Sequence, residues 1–337
     1  MNSIPSAAII SDTQPWQQLL SHAIDDPAQL LSSLNLSPDL LQGAAAGSSL
    51  FALKVPAPFL ERIEKGNPND PLLKQILPLG AELQEVPGYV TDPLAEAESS
   101  PSGGLIHKYP GRVLLILSGA CAINCRYCFR RHFPYQDNQL GRAQWQQVLD
   151  YVQHDPSISE VIFSGGDPLA TSDKRLRKMI QDLELIPHLK RLRIHSRLPI
   201  VIPQRVTPEL LDVLSASRLD TVMVLHVNHA NELDKSTASA VARLKMAHIT
   251  VLNQAVLLKG VNDNLKALQQ LSETLFTQGI LPYYLFTFDP VKGAAHFDIP
   301  DAEAIRLHQQ LQATLPGYLV PKLAREIPGK SQKTLLF

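Results

Sequence analysis

The 337 residues include only three cysteines, Cys121, Cys125 and Cys128, all within eight positions. An odd number packed this closely excludes a disulfide-stapled scaffold. Charge of one sign is also missing: 31 Lys and Arg face 32 Asp and Glu, a net charge of −1. That leaves no overall pull toward nucleic acid or acidic membranes. Aromatic residues make up 6%, with no interleaved stacking face for a single nucleic-acid strand. Nowhere do ~18 apolar residues run uninterrupted, as a membrane span requires. The opening MNSIPSAAIISDTQPWQQLL lacks the basic stretch and unbroken apolar core of a secretory leader, so a cytoplasmic location is expected. Charged residues, at 19%, fall below the usual ~25%, but 45% apolar content keeps the chain far from disorder. The length suits one large unit or two, with a sizeable core.

Three segments differ in pattern. Residues 1–104 carry short stretches of helical periodicity separated by Pro, Asp, Asn and Ser and close on ESSPSGG, reading as a helical region and linker. Residues 105–320 alternate apolar runs with helical segments. The runs Val113–Leu117, Val161–Phe163, Leu192–Ile194, Val222–Leu225, Thr250–Val256 and Tyr283–Phe286 make six β–α repeats. Continuous apolar strands imply burial on both faces, hence a parallel sheet with helices outside. The expected fold is α/β, a partial (β/α)6 TIM-like barrel, with function on the loops after the strands' C-terminal ends. Residues 321–337 form a polar C-terminal segment, preceded by Tyr318-Leu319-Val320 as a further strand.

The loop after the first repeat strand holds all three cysteines. Thiolates bind soft metals and iron–sulfur clusters, and C-x3-C-x2-C can direct three sulfurs to one centre while leaving a coordination site open. A structural zinc site would need a fourth ligand such as His132; a buried inert thiol cluster is the other alternative.

Cys121-Ala-Ile-Asn-Cys125-Arg-Tyr-Cys128 resembles the signature of radical S-adenosylmethionine (SAM) enzymes. That resemblance implies a [4Fe–4S] cluster on three cysteines, a fourth iron chelating SAM, and a 5′-deoxyadenosyl radical. Ser164-Gly165-Gly166-Asp167 resembles the family's glycine-rich segment, which implies SAM contacts at Gly165, Gly166 and Asp167. From about His107 to Thr334 the chain is similar to lysine 2,3-aminomutases. Tyr109-Pro110-Gly111-Arg112 then implies that Tyr109 and Arg112 hold pyridoxal 5′-phosphate (PLP), for which a guanidinium is apt. Gln254, in Asn-Gln-Ala-Val-Leu-Leu, implies a nucleotide contact. Glu326-Ile-Pro-Gly-Lys330-Ser-Gln-Lys333-Thr334 resembles the family's Asp-Ala-Pro-Gly-Gly-Gly-Gly-Lys-Thr. Aligning Pro-Gly and Thr puts Lys333 on the PLP lysine, with Lys330 replacing a glycine.

The same resemblance implies that Arg130 takes the substrate carboxylate while Asp263, after Gly-Val-Asn, and Glu326 hold the ε-ammonium of L-lysine. It implies β-lysine as product, of the R form if the chain is of the branch serving elongation factor P. Elongation factor P or its modifying ligase would then be an indirect partner, and a flavodoxin-type protein the electron donor. The alternatives are a glutamate 2,3-aminomutase, a radical SAM enzyme without PLP, or a cluster-bearing RNA-binding module built on Arg126, Arg130, Arg131 and His132.

Overall fold

The apolar runs become strands because both their faces are covered. In the computed structural model, which describes residues 14–135, 138 and 140–337, all six residues of β3 (Glu160–Gly165) are buried. The first thirteen residues, part of the opening stretch read above, lie outside the described residues. Nine strands lie side by side in chain order: β1 (Leu105–Tyr109), β2 (Arg112–Ser118), β3, β4 (Arg191–Ser196), β5 (Asp220–His226), β6 (Thr250–Val256), β7 (Leu281–Phe286), β8 (Lys322–Arg325) and β9 (Thr334–Leu335). β2 to β8 are mutually parallel; β1 and β9 run antiparallel at the two edges. Helices follow β2 to β7, and the open sheet is a partial TIM-like barrel.

The two edges depart from the sequence reading. β1 folds back on β2 through Pro110-Gly111, where Gly111 takes a φ of +77° that glycine alone adopts without strain. The strand expected at Tyr318-Leu319-Val320 is instead a 3-10 turn, Gly317–Leu319. Pro321 lacks the N–H a ladder needs, so strand geometry starts only at Lys322. The tail is therefore pinned: Arg325 pairs with Thr334 and Ala324 with Leu335. A hairpin in that register puts Glu326 and Lys333 opposite each other at the root of its loop.

The N-terminal helices do not stand apart. Leu30, Leu34, Phe59, Leu72 and Ile76 share one apolar core with strand residues such as Leu115, Phe163 and Leu192, so the core runs across the boundary read near residue 104. Asp70 caps the Pro71–Lys74 turn by accepting from the Leu72 and Leu73 amides at 2.7 and 2.9 Å. Arg62 anchors the region to the barrel, donating to the Ile200 and Glu232 carbonyls at 2.7 and 2.8 Å. Among the described residues, no helix is long and apolar enough to cross a membrane.

Candidate active site

The C-terminal ends of β2 to β8 surround a cavity of about 520 Å³. Cys121, Cys125 and Cys128 line one side of it, on the loop after β2. The N-terminal region supports that loop from beneath: Lys54 donates to the Cys121 carbonyl at 2.9 Å, Asn124 to the Ala52 carbonyl at 2.7 Å, and Arg126 to the Lys74 carbonyl at 2.8 Å. Burial, helped by the neighbouring thiols, pushes Cys121 well up and Cys128 to about 11. Unligated, these thiols keep their protons; a cationic centre would draw the protons off. No three His, Cys, Asp or Glu among the described residues are grouped to hold a metal ion. A cluster does not require that convergence, because each thiolate binds a different iron. His132 turns away from the thiols to the Lys292 carbonyl, at 3.1 Å. The arginines of the loop form no basic surface, since Arg126 and Arg130 are buried on Glu82 and Glu96.

The tail hairpin lines the same cavity through Glu326 and Lys333. Lys333 Nζ donates to Glu326 Oε2 at 2.6 Å and lies 5.0 Å from the centre of the Phe286 ring. Lys330 is exposed on the hairpin's outer turn and does not line the cavity. Lys108 on β1 donates to Glu326 Oε1 at 2.9 Å and sits 3.6 Å from Glu96. Burial acts to raise the Glu326 carboxyl, but Lys333 and Lys108 outweigh it and hold it at about 2. Arg130 donates to both oxygens of Glu96 at 2.7 Å and to Ser164 Oγ at 3.1 Å. These five groups alternate in sign from the cysteine loop to the tail.

A model of the radical SAM superfamily matches residues 115–271. The L-lysine 2,3-aminomutase of Haemophilus influenzae is 50% identical over 335 residues, 99% of each chain. That of Escherichia coli is 50% identical over 325 residues, covering 96% of this chain and 94% of its own. The chain belongs to the lysine 2,3-aminomutase family. The Clostridium subterminale L-lysine 2,3-aminomutase is a more distant relative, 34% identical over 96% of this chain and 78% of its own.

Within this family chain, the cavity gathers Tyr109, Arg112, Arg130, Gly165, Gly166, Asp167, Gln254, Glu326 and Lys333 with the three cysteines. Arg112 stacks on Tyr109, 4.8 Å from the ring centre. The Tyr109 hydroxyl lies beside Glu326, and His195 Nε2 is buried with no hydrogen-bond partner among the described residues, as befits a wall shaped for a polar ligand. Gln254 pairs in register with His226 of the preceding strand, β5; burial lowers that histidine to about 4, leaving it neutral.

Asp263 does not reach the cavity: it stays half-buried on the loop after β6, where Asn262 folds that loop by bonding the Val256 and Asn228 carbonyls, both at 2.9 Å. Asp289, just beyond β7, does line it, together with Glu326, Glu96 and Asp167. Burial and the nearby Glu326 raise Asp289 to about 7. Asp167, expected to contact SAM, is committed within the protein: its two oxygens accept from Ser196 Oγ and the Leu169, Arg197 and Leu198 amides at 2.7–3.0 Å. The glycines before it answer first to the backbone; a Cβ on Gly165 or Gly166 would lie 2.6 or 2.7 Å from the Ser118 or Ala120 carbonyl oxygen.

Sequence reasoning missed Asp289, Glu96 and Lys108. A signal for Asp289 was available, because Phe-Asp-Pro directly follows an apolar strand on the functional side of the barrel. Glu96 and Lys108 belong to no motif and gain their place only through the β1 hairpin and the tail register.

Proposed function

We propose that this protein converts L-lysine to β-lysine by a 2,3-amino shift, using a [4Fe–4S] cluster, SAM and PLP. One observation carries the reading: Lys333 and Glu326, in contact with each other, line one cavity together with the three cysteines. Cys121, Cys125 and Cys128 hold the cluster, Lys333 binds the PLP aldehyde, and Arg112 and Tyr109 hold its phosphate end. Gln254, His226 and the Gly165-Gly166 backbone are the protein's surfaces for the nucleotide. When bound, the cofactors supply a carbon radical and a ring that delocalises it, chemistry no side chain provides.

The chain's own residues bind and orient the substrate. Arg130, fixed by Glu96, presents its remaining edge near Ser164 to the α-carboxylate. Glu326 and Asp289 receive the ε-ammonium once Lys333 is occupied, since a buried ammonium requires paired carboxylates. The same acids repel the second carboxylate of glutamate, which argues against the glutamate reading. The finer assignments are the R product, service to elongation factor P, a flavodoxin-type donor and a cytoplasmic site. They rest on the family resemblance.

Two variants test these roles. Arg112→Ala should weaken PLP binding by at least ~10-fold, the ~1.4 kcal/mol of a lost charge-assisted pair, with unchanged iron content; equal loss of both would mean a folding defect. Asp289→Asn should raise the lysine KM by ~100-fold, roughly 3 kcal/mol for a shielded charge pair, while Asp263→Asn leaves it within about twofold. Because Asp289 titrates near 7 and only its carboxylate attracts an ammonium, the wild-type KM should climb as pH falls through about 7. A KM profile from pH 6 to 8 that has the same slope in Asp289→Asn would remove Asp289 from the substrate site.

A further inference from the structure

Arg197 is buried at the end of β4 and reaches back toward the cysteine loop. One guanidinium nitrogen, Nη1, donates to Cys125 Sγ at 2.7 Å; the other, Nη2, donates to Gln75 Oε1 and Glu232 Oε2, both at 2.8 Å. Its backbone amide is fixed by Asp167 at 2.9 Å, and the rings of Phe59 and Tyr127 flank the guanidinium at 5.5 and 5.7 Å. Glu232 is fully buried and its other oxygen accepts from the Asn228 and His229 amides and from Gln75 Nε2, at 2.9, 3.1 and 3.2 Å. The pair is thus oriented, with its cationic end on the sulfur and its anionic end beyond the guanidinium, tied down by backbone donors.

We propose that Arg197 is a positioning residue that raises the reduction potential of the cluster through Cys125, and that Glu232 sets how much of its charge the sulfur experiences. The inference rests on Cys125 being a cluster ligand. Adding an electron makes the cluster more negative, and an N–H donor or a cation at a ligand sulfur favours the more negative state. Such effects are strong where water is excluded. The carboxylate opposes this from the far side of the guanidinium, so removing its charge should act in the other direction. A purely structural tie among Gln75, Cys125, Arg197 and Glu232 predicts no such opposition.

The experiment is a redox titration of anaerobically reconstituted full-length protein, followed by the electron paramagnetic resonance signal of the reduced cluster, without SAM or PLP. Arg197→Gln should lower the reduced-to-oxidised ratio at a fixed potential by at least tenfold, a shift of about 59 mV for one electron. Glu232→Gln should raise that ratio, and Arg197→Lys should fall between wild type and Arg197→Gln. If Arg197→Gln leaves Glu232 unpaired and fails to fold, the double variant Arg197→Gln/Glu232→Gln removes both charges and should still lower the ratio. Normal iron loading with unmoved potentials, or single variants that shift the same way, overturns the inference. Wild-type protein that binds no iron overturns the cluster assignment and this inference with it.

Discussion

Lys333→Ala should abolish β-lysine formation, with turnover falling at least ~10⁴-fold, which corresponds to more than about 5 kcal/mol of lost transition-state stabilisation. A lysine is needed there because its amine would hold the PLP aldehyde until the substrate's own amine took its place. Nothing else on the tail substitutes for it: Lys330 is exposed on the outer turn, while Lys333 is held at 2.6 Å from Glu326. Borohydride reduction of the wild type followed by peptide mapping should place the pyridoxyl mass on Lys333. Iron content of Lys333→Ala should be normal, and Lys330→Ala should turn over lysine within about twofold of wild type. A pyridoxyl mass on Lys330 would overturn the register of the hairpin.

Replacing all three cysteines by Ala should eliminate the cluster and with it the cleavage of SAM. Each thiolate binds a separate iron, so no remaining side chain can take over the task. The variant should still bind PLP, because neither Lys333 nor Arg112 belongs to the cysteine loop. Iron analysis and SAM turnover after reconstitution without oxygen are the measurements. About four irons per chain, or continued SAM cleavage, would show that the cluster lies elsewhere.

The parallel strands and the cysteine loop were legible because each is encoded locally. Val161-Ile162-Phe163 can only be buried on both faces, and no other part of the chain carries a cysteine. The tail was half legible. Its motif identified Lys333 and Glu326, but only the pairing of Arg325 with Thr334 explains why they meet. The place of Asp263 was not legible, because a short acidic loop motif says nothing of its direction; Asn262 folds that loop, and Asp263 is not among the residues lining the cavity. Glu96, Lys108 and the pairing of Arg197 with Glu232 were illegible, since each contact joins segments far apart in sequence. The alternation of charge from Arg130 through Glu96, Lys108 and Glu326 to Lys333 is a property of the assembled sheet.

The most direct measurement of the proposed activity is product analysis. Anaerobically reconstituted protein with SAM, PLP and a reductant is incubated with L-lysine labelled with ¹⁵N at the α-amino group and ¹³C at C3. A 2,3-amino shift in lysine should give a ¹³C–¹⁵N coupling at C3 of a product that co-elutes with (R)-β-lysine after chiral derivatisation, and no comparable conversion of glutamate. Label that stays on C2 of lysine while SAM is cleaved, or faster amino migration in glutamate, would contradict it.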